Sequence, residues 1–118
     1  GIRVVSWAST DGHDIGYLKM LAHRICEHPN TVALLGSGNG ESAHVVFEKS
    51  HDVSIDMAKL LREVLPTVEG KGGGTHQIAQ GGGKRPERLP HAISRAAAMV
   101  AKAARGIEAE TAASADCH

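Results

Sequence analysis

Lys71-Gly72-Gly73-Gly74-Thr75-His76-Gln77-Ile78-Ala79-Gln80-Gly81-Gly82-Gly83 carries six of the chain's 14 glycines as two triplets, with another at Gly70 just before them. The residues between the triplets predict a short strand, Gln77 to Gln80. Glycine costs the most backbone entropy to order, and it tolerates positive φ and close backbone approach. Two triplets around a strand therefore mark one of two things. Either the backbone itself must come near a ligand, in which case bare N–H groups suit phosphate or another anion, or two mobile turns flank an edge strand.

Upstream of the glycines, Ile55, Met57, Leu60, Leu61, Val64 and Leu65 recur at helical spacing. Asp52 or Ser54 stands near the start of that helix, and Pro66 and Gly70 close it. Before it lie Thr31 to Gly36, a nearly continuous apolar strand suited to burial on both faces, a loop over Ser37 to Glu41, and a return strand from Ser42 to Glu48. Further back, Ile15, Leu18, Leu21, Ala22 and Ile25 form another helical stripe. Asp14 or Asp11 can cap it, and His28-Pro29-Asn30 stops it. Ile2 to Ala8 is rich in β-branched residues and reads as the first strand; it starts at once, so the expectation is a piece of a longer protein.

Downstream, Lys84-Arg85-Pro86-Glu87-Arg88 is a basic, polar connection, and Pro90 suits the first turn of a last helix. Ile93, Ala97, Val100, Ala104 and Ile107 line that helix. Residues 109–118 are expected to fray. The order is β-α-β-β-α-β-α: an α/β chain of the α+β type, with a mixed sheet of about four strands and helices packed on it. The first β-α-β predicts a right-handed parallel crossover and the next pair an antiparallel hairpin.

At 118 residues this is one domain, 1–118, with 42% hydrophobic and 22% charged residues. One Trp, one Tyr and one Phe leave an aliphatic core. A formal net charge of zero argues against a wholesale polyanion binder but allows a local basic patch. Eight histidines make net charge rise below about pH 6.5. No apolar run reaches the ~18 residues of a membrane span, and no signal-peptide pattern opens the chain. Cys26 and Cys117 read as reduced intracellular thiols, and Cys117-His118 alone makes a weak metal signal.

The hairpin, the helix Met57 to Leu65, Gly72-Gly73-Gly74 and Ile78-Ala79-Gln80-Gly81-Gly82 together resemble the DHHA1 domain. The nearest form is the one at the C-terminus of alanyl-tRNA synthetases and of long alanyl-tRNA trans-editing proteins. Pro86-Glu87-Arg88-Leu89-Pro90-His91-Ala92-Ile93 resembles that family's link into its last helix. The resemblance runs from about Val4 to Val100. It departs at Thr75-His76-Gln77, where synthetases usually carry a basic residue, proline and aspartate. DHH phosphoesterases instead place a phosphate-contacting histidine after the glycines, and His76 lies one residue later than that pattern.

The resemblance implies a non-catalytic module that binds tRNA, tRNA-Ala first, and forms oligomers, with a homodimer as the simplest case. The parent would be a cytoplasmic alanine–tRNA ligase or alanyl-tRNA deacylase, to which ATP, Mg and Zn would belong; this stretch calls for no cofactor. The alternative is the substrate-binding half of a DHH-type phosphoesterase acting on short oligonucleotides or cyclic dinucleotides. No HExxH, paired CxxC, Ser-His-Asp set or P-loop is present, and Gly83-Lys84-Arg85 does not end as a P-loop must. Catalytic and metal residues are therefore assigned to none. The candidate nucleic-acid residues are Lys71, Gly72, Gly73, Gly74, His76, Gln77, Gln80, Gly82, Lys84, Arg85 and Arg88. The cations attract phosphate, and the glycines allow close approach. His76 and Gln77 can bond to ribose or base edges, or be plain surface residues. Trp7 can stack on a base, with a core role the stronger expectation. The last helix either seals the sheet or pairs with a second copy.

Overall fold

The computed structural model describes residues 2–108, with side chains through Ala103. The expected tail at 109–118, Cys117-His118, and the side chains of Ala104 and Ile107 lie outside the described residues. The chain forms β1 (Arg3–Ser9), α1 (Ile15–Ile25), β2 (Thr31–Gly38), β3 (Ala43–Lys49), α2 (Met57–Val64), β4 (Lys71–Gly74), β5 (Ile78–Gly83) and α3 (Leu89–Glu108). Short 3-10 turns at Leu65–Val68 and Pro86–Arg88 join the later elements.

One mixed sheet runs in the order β1-β2-β3-β5-β4. β1 and β2 are parallel across α1, and β2 and β3 form the expected antiparallel hairpin, with Leu34 opposite Phe47. The sheet has five strands rather than about four. The first glycine triplet, read as a turn, is strand β4, antiparallel to β5. β2 also runs two residues past Gly36, and the loop shrinks to the segment around Asn39, whose Oδ1 accepts from the Glu41 and Ser42 N–H groups.

Side-chain alternation along β2 and β3 feeds two cores. Val32, Leu34, Val45 and Phe47 pack with Met57, Leu61 and Val64 of α2 and Ile93, Ala96 and Val100 of α3. Ala33, Leu35 and Val46 pack on the opposite face with Leu18 and Ala22 of α1. The both-face burial expected of Thr31 to Gly36 holds. The described part of the α3 stripe is spent on the chain's own core. Trp7 is half-buried against the α1-side core, with its ring 5.8 Å from that of His13.

Helix entries follow the capping chemistry, with one correction. Asp14 caps α1 by accepting from the Tyr17 N–H at 2.8 Å. For α2 the cap is Asp56, which accepts from the Lys59 N–H, rather than Asp52 or Ser54. Asp52 instead accepts from the Asn30 N–H and the Ser50 hydroxyl, tying the β3 exit to the β2 entry. Those bonds hold its carboxyl below the usual range.

Candidate functional site

The glycine motif folds as the β4–β5 hairpin at one end of the sheet. Thr75 builds its turn: the Thr75 N–H donates to the Ile78 carbonyl at 2.8 Å, and the Thr75 hydroxyl accepts from the Gln77 and Ile78 N–H groups. That bond sets the alternation of the ladder. Gly73 opposite Gln80 and Lys71 opposite Gly82 become hydrogen-bonded pairs, while Gly72 and Gly74 turn their N–H and C=O groups to the open edge.

Gly72 and Gly74 occupy the narrow pairs, and this explains why they lack side chains. A Cβ on Gly72 would stand 2.5 Å from the Gly81 Cα, and one on Gly74 2.6 Å from the Ala79 Cα. A Cβ on Gly73 would meet nothing within 4 Å. The first triplet thus serves close strand approach. The second triplet does not offer free N–H groups along its length, because β5 lies between β3 and β4 and the ladders on both sides engage it.

On the α1 side of the sheet, α1 packs over β2 and β3, and β5 and β4 lie beyond it. Register places Lys71, Gly73, Gln80, Gly82 and His44 on that face. They line an open depression of about 570 Å3, bordered by Ile15 from the start of α1. His44, absent from the candidate residues chosen from sequence, lies against Gly82: a Cβ there would sit 3.5 Å from the His44 Nδ1. Only the β3–β5 register brings the two together.

The other cations gather past the end of β5, around a carboxylate. The Arg85 Nε donates to the Glu69 Oε2 at 2.8 Å, and a guanidinium nitrogen of Arg88 lies 3.9 Å from the same oxygen. Arg85 also approaches Glu87 at 3.8 Å. The Arg85 hydrogen bond and charge, with Arg88 and Lys84 behind them, hold the Glu69 carboxyl below its usual range. Lys84 and Lys71 are exposed and make no ion pair among the described residues. The basic patch therefore has an acidic centre, which sequence inspection did not reveal.

His76 and Gln77 stand at the opposite end of the hairpin, roughly 20 Å along β5 from Lys84. His76 is exposed, and its carbonyl accepts from the Met57 N–H at the start of α2. Gln77 is bound into the fold: its Nε2 donates to the Lys49 carbonyl, and its Oε1 accepts from the Lys49 Nζ at 3.3 Å. The eleven chosen residues thus separate into a glycine-lined face, a cation cluster and a turn. Among the described residues, no group of three or more His, Cys, Asp or Glu side chains could hold a metal ion. No helix there is long and apolar enough to cross a membrane.

The family model of the DHHA1 domain matches residues 4–102. The alanine–tRNA ligase of Methanosarcina acetivorans is 35% identical over 107 residues, which is 89% of this chain and 12% of the ligase. That of Leptospira biflexa is 36% identical over 84 residues, 68% of this chain and 9% of the ligase. The chain therefore spans about a tenth of the length of such relatives. The crystal structure of the C-Ala domain from Aquifex aeolicus alanyl-tRNA synthetase matches with a TM-score of 0.71 at 24% identity, over 80% of this chain and 89% of that one. That match concerns the fold.

Proposed function

The chain belongs to the DHHA1 domain family, and from that premise we propose that it is a non-catalytic, tRNA-holding module of an alanine–tRNA ligase or a related alanyl-tRNA editing protein. The observation that carries this reading is the match to about a tenth of much longer alanine–tRNA ligases. The surface supports it. Lys71 stands beside Gly73 and Gly82 on the face they share with His44 and Gln80, and Lys84 is exposed two residues past Gly82. Phosphates can approach such a face closely, and the cations supply the attraction. tRNA-Ala as the preferred tRNA, a homodimer as the assembly and the cytoplasm as the compartment belong to the same proposal. No observation favours the phosphoesterase-half reading.

The test is a fluorescence titration with tRNA-Ala, other tRNAs and a duplex DNA of similar length at two salt concentrations, repeated with Lys71→Ala/Lys84→Ala. Salt-sensitive tRNA binding, weakened several-fold by the double variant across all tRNAs, is expected. Affinity unchanged by the variant would remove this face from the interface. Equal binding of duplex DNA would remove the preference for tRNA.

A further inference from the structure

A second cleft lies on the α1 side of the sheet, at the other end from the Lys71–Gly82 face. It runs between the C-terminal half of α1 and the ends of β3 and β5 and holds about 730 Å3. That is within the range of small-molecule sites. Glu48 lines it and carries its least comfortable group. The side chain is only 8% exposed, and its Oε2 stands 3.5 Å from the His23 Nδ1. Its Oε1 is buried with no hydrogen-bond partner among the described residues. An orphaned buried carboxylate oxygen is costly to maintain, and native folds rarely keep one without a use.

We propose that this cleft binds an unstacked nucleobase, guanine foremost, whose N–H edge donates to Glu48. The proposal rests on the RNA-binding reading above and names a subsite for it. Guanine offers two adjacent donors, N1–H and the N2 amine, to the two oxygens of one carboxylate. In the free chain Oε1 is buried and Oε2 stands against His23, so engaging both donors requires the carboxylate to turn, and the terminal torsion of a glutamate is broad. The flanks suit a flat ring. Met20 is 54% exposed and borders the cleft, as does half-buried Ile78. A thioether packs well against aromatic rings. Cys26 adds a neutral wall, because burial first, and then the Glu48 charge, push its thiol up to about 12.

The charge layout selects a nucleotide over a cationic ligand. Lys19, Lys49, His23 and His51 line the cleft, and among the described residues Glu27 is the one other carboxylate there. An ammonium or guanidinium entering would meet those lysines. A nucleotide presents a neutral donor edge inward and a phosphate outward, matching the Glu48 acceptor within and the exposed Lys19 beside it, while Lys49 is buried and bonded to Gln77. Gln77, selected from sequence as a base or ribose contact, lines this cleft and not the glycine face. Its side chain is already held by Lys49. RNA is commonly read through splayed bases on just these edges.

The experiment is a titration of the 15N-labelled chain with guanosine monophosphate and with uridine monophosphate, followed through the amide signals of Glu48, Lys49, Gln77 and Ile78. Guanosine monophosphate is expected to shift these signals saturably and to bind about tenfold tighter than uridine monophosphate. Glu48→Gln should erase that preference, its own spectrum reporting whether it is folded. Met20→Ala, at an exposed position, should weaken both nucleotides several-fold. Unmoved cleft signals, or equal binding of the two nucleotides left unchanged by Glu48→Gln, would overturn the proposal. The two readings fail separately. Salt-dependent tRNA binding with a silent cleft removes only the base subsite. A responsive cleft in a chain that binds no tRNA removes only the tRNA module.

Discussion

Glu69 and Glu48 show how single carboxylates shape this surface. Glu69 occupies a left-handed conformation, φ 53° and ψ 46°, which points it between Arg85 and Arg88. It competes with any phosphate for those guanidinium groups. Glu69→Gln should therefore strengthen tRNA binding about threefold at low salt, with the gain fading at high salt as exposed pairs are screened. A filter-binding series at two ionic strengths checks this; unchanged affinity would mean the arginines do not contact RNA. Glu48 controls a different quantity. Burial raises its carboxyl above the ordinary value, against the lowering influence of His23 and then His51. Lys49 and Glu27 border the same cleft, and Cys26 stays a neutral thiol there. A raised pKa means that the folded state holds this proton more tightly than the unfolded chain does. The stabilisation is complete below the unfolded value, about 4.3, and is lost as pH rises through the raised folded value. Asp52 and Glu69, both lowered, act the opposite way and lose their contributions only as pH falls below ordinary carboxylate values. Urea midpoints should thus rise as pH falls from neutrality toward about 4.3 in the native chain, and rise less in Glu48→Gln. Equal pH dependence in both would show that Glu48 is not responsible.

At the scale of the element, the β4–β5 hairpin separates glycines that look alike in sequence. Gly72→Ala and Gly74→Ala drive a methyl into partner backbone and should each destabilise by about 2 kcal/mol. Gly73→Ala has open space and should change stability by less than about 0.5 kcal/mol. Denaturant unfolding of the three variants decides this, and a uniform penalty would refute the narrow-pair explanation. Asp56→Ala removes the α2 cap and should cost about 1 kcal/mol, whereas Ser54→Ala should cost almost nothing. These elements also mark how far the sequence could be read. The apolar runs and helical stripes place β1 to β3 and all three helices, because periodicity is local. β4 escaped because three glycines have neither strand propensity nor alternation. Its strand character comes from β5 alongside it. The cap moved from Asp52 to Asp56 because Asp52 is claimed by Asn30 and Ser50, a contact between distant segments.

For the whole molecule, the two-faced core explains which parts of the candidate site were legible. Lys71, the glycines and Gln80 are neighbours in sequence and remain neighbours on the sheet. His44, Glu48 and His23 join the surface only after β3 docks beside β5 and α1 crosses over, so no spacing along the chain announces them. Arg85 and Arg88 meet Glu69 through a similar return of the chain. Binding should report this division. If Lys71 and Lys84 contact phosphates, the logarithm of affinity should fall linearly with the logarithm of salt concentration. Lys84→Ala should reduce that slope by about one. A slope unaffected by the substitution would place the RNA elsewhere on the molecule. β4 carries a final consequence, one that concerns lifetimes. Three of its four residues have no side chain to bury, so the strand is attached mainly by one ladder of hydrogen bonds to β5. Its amides should exchange with deuterium through local opening, orders of magnitude faster than those of β2 and β3, whose exchange requires global unfolding. A ligand seated on that face would announce itself as a slow amide where a fast one had been.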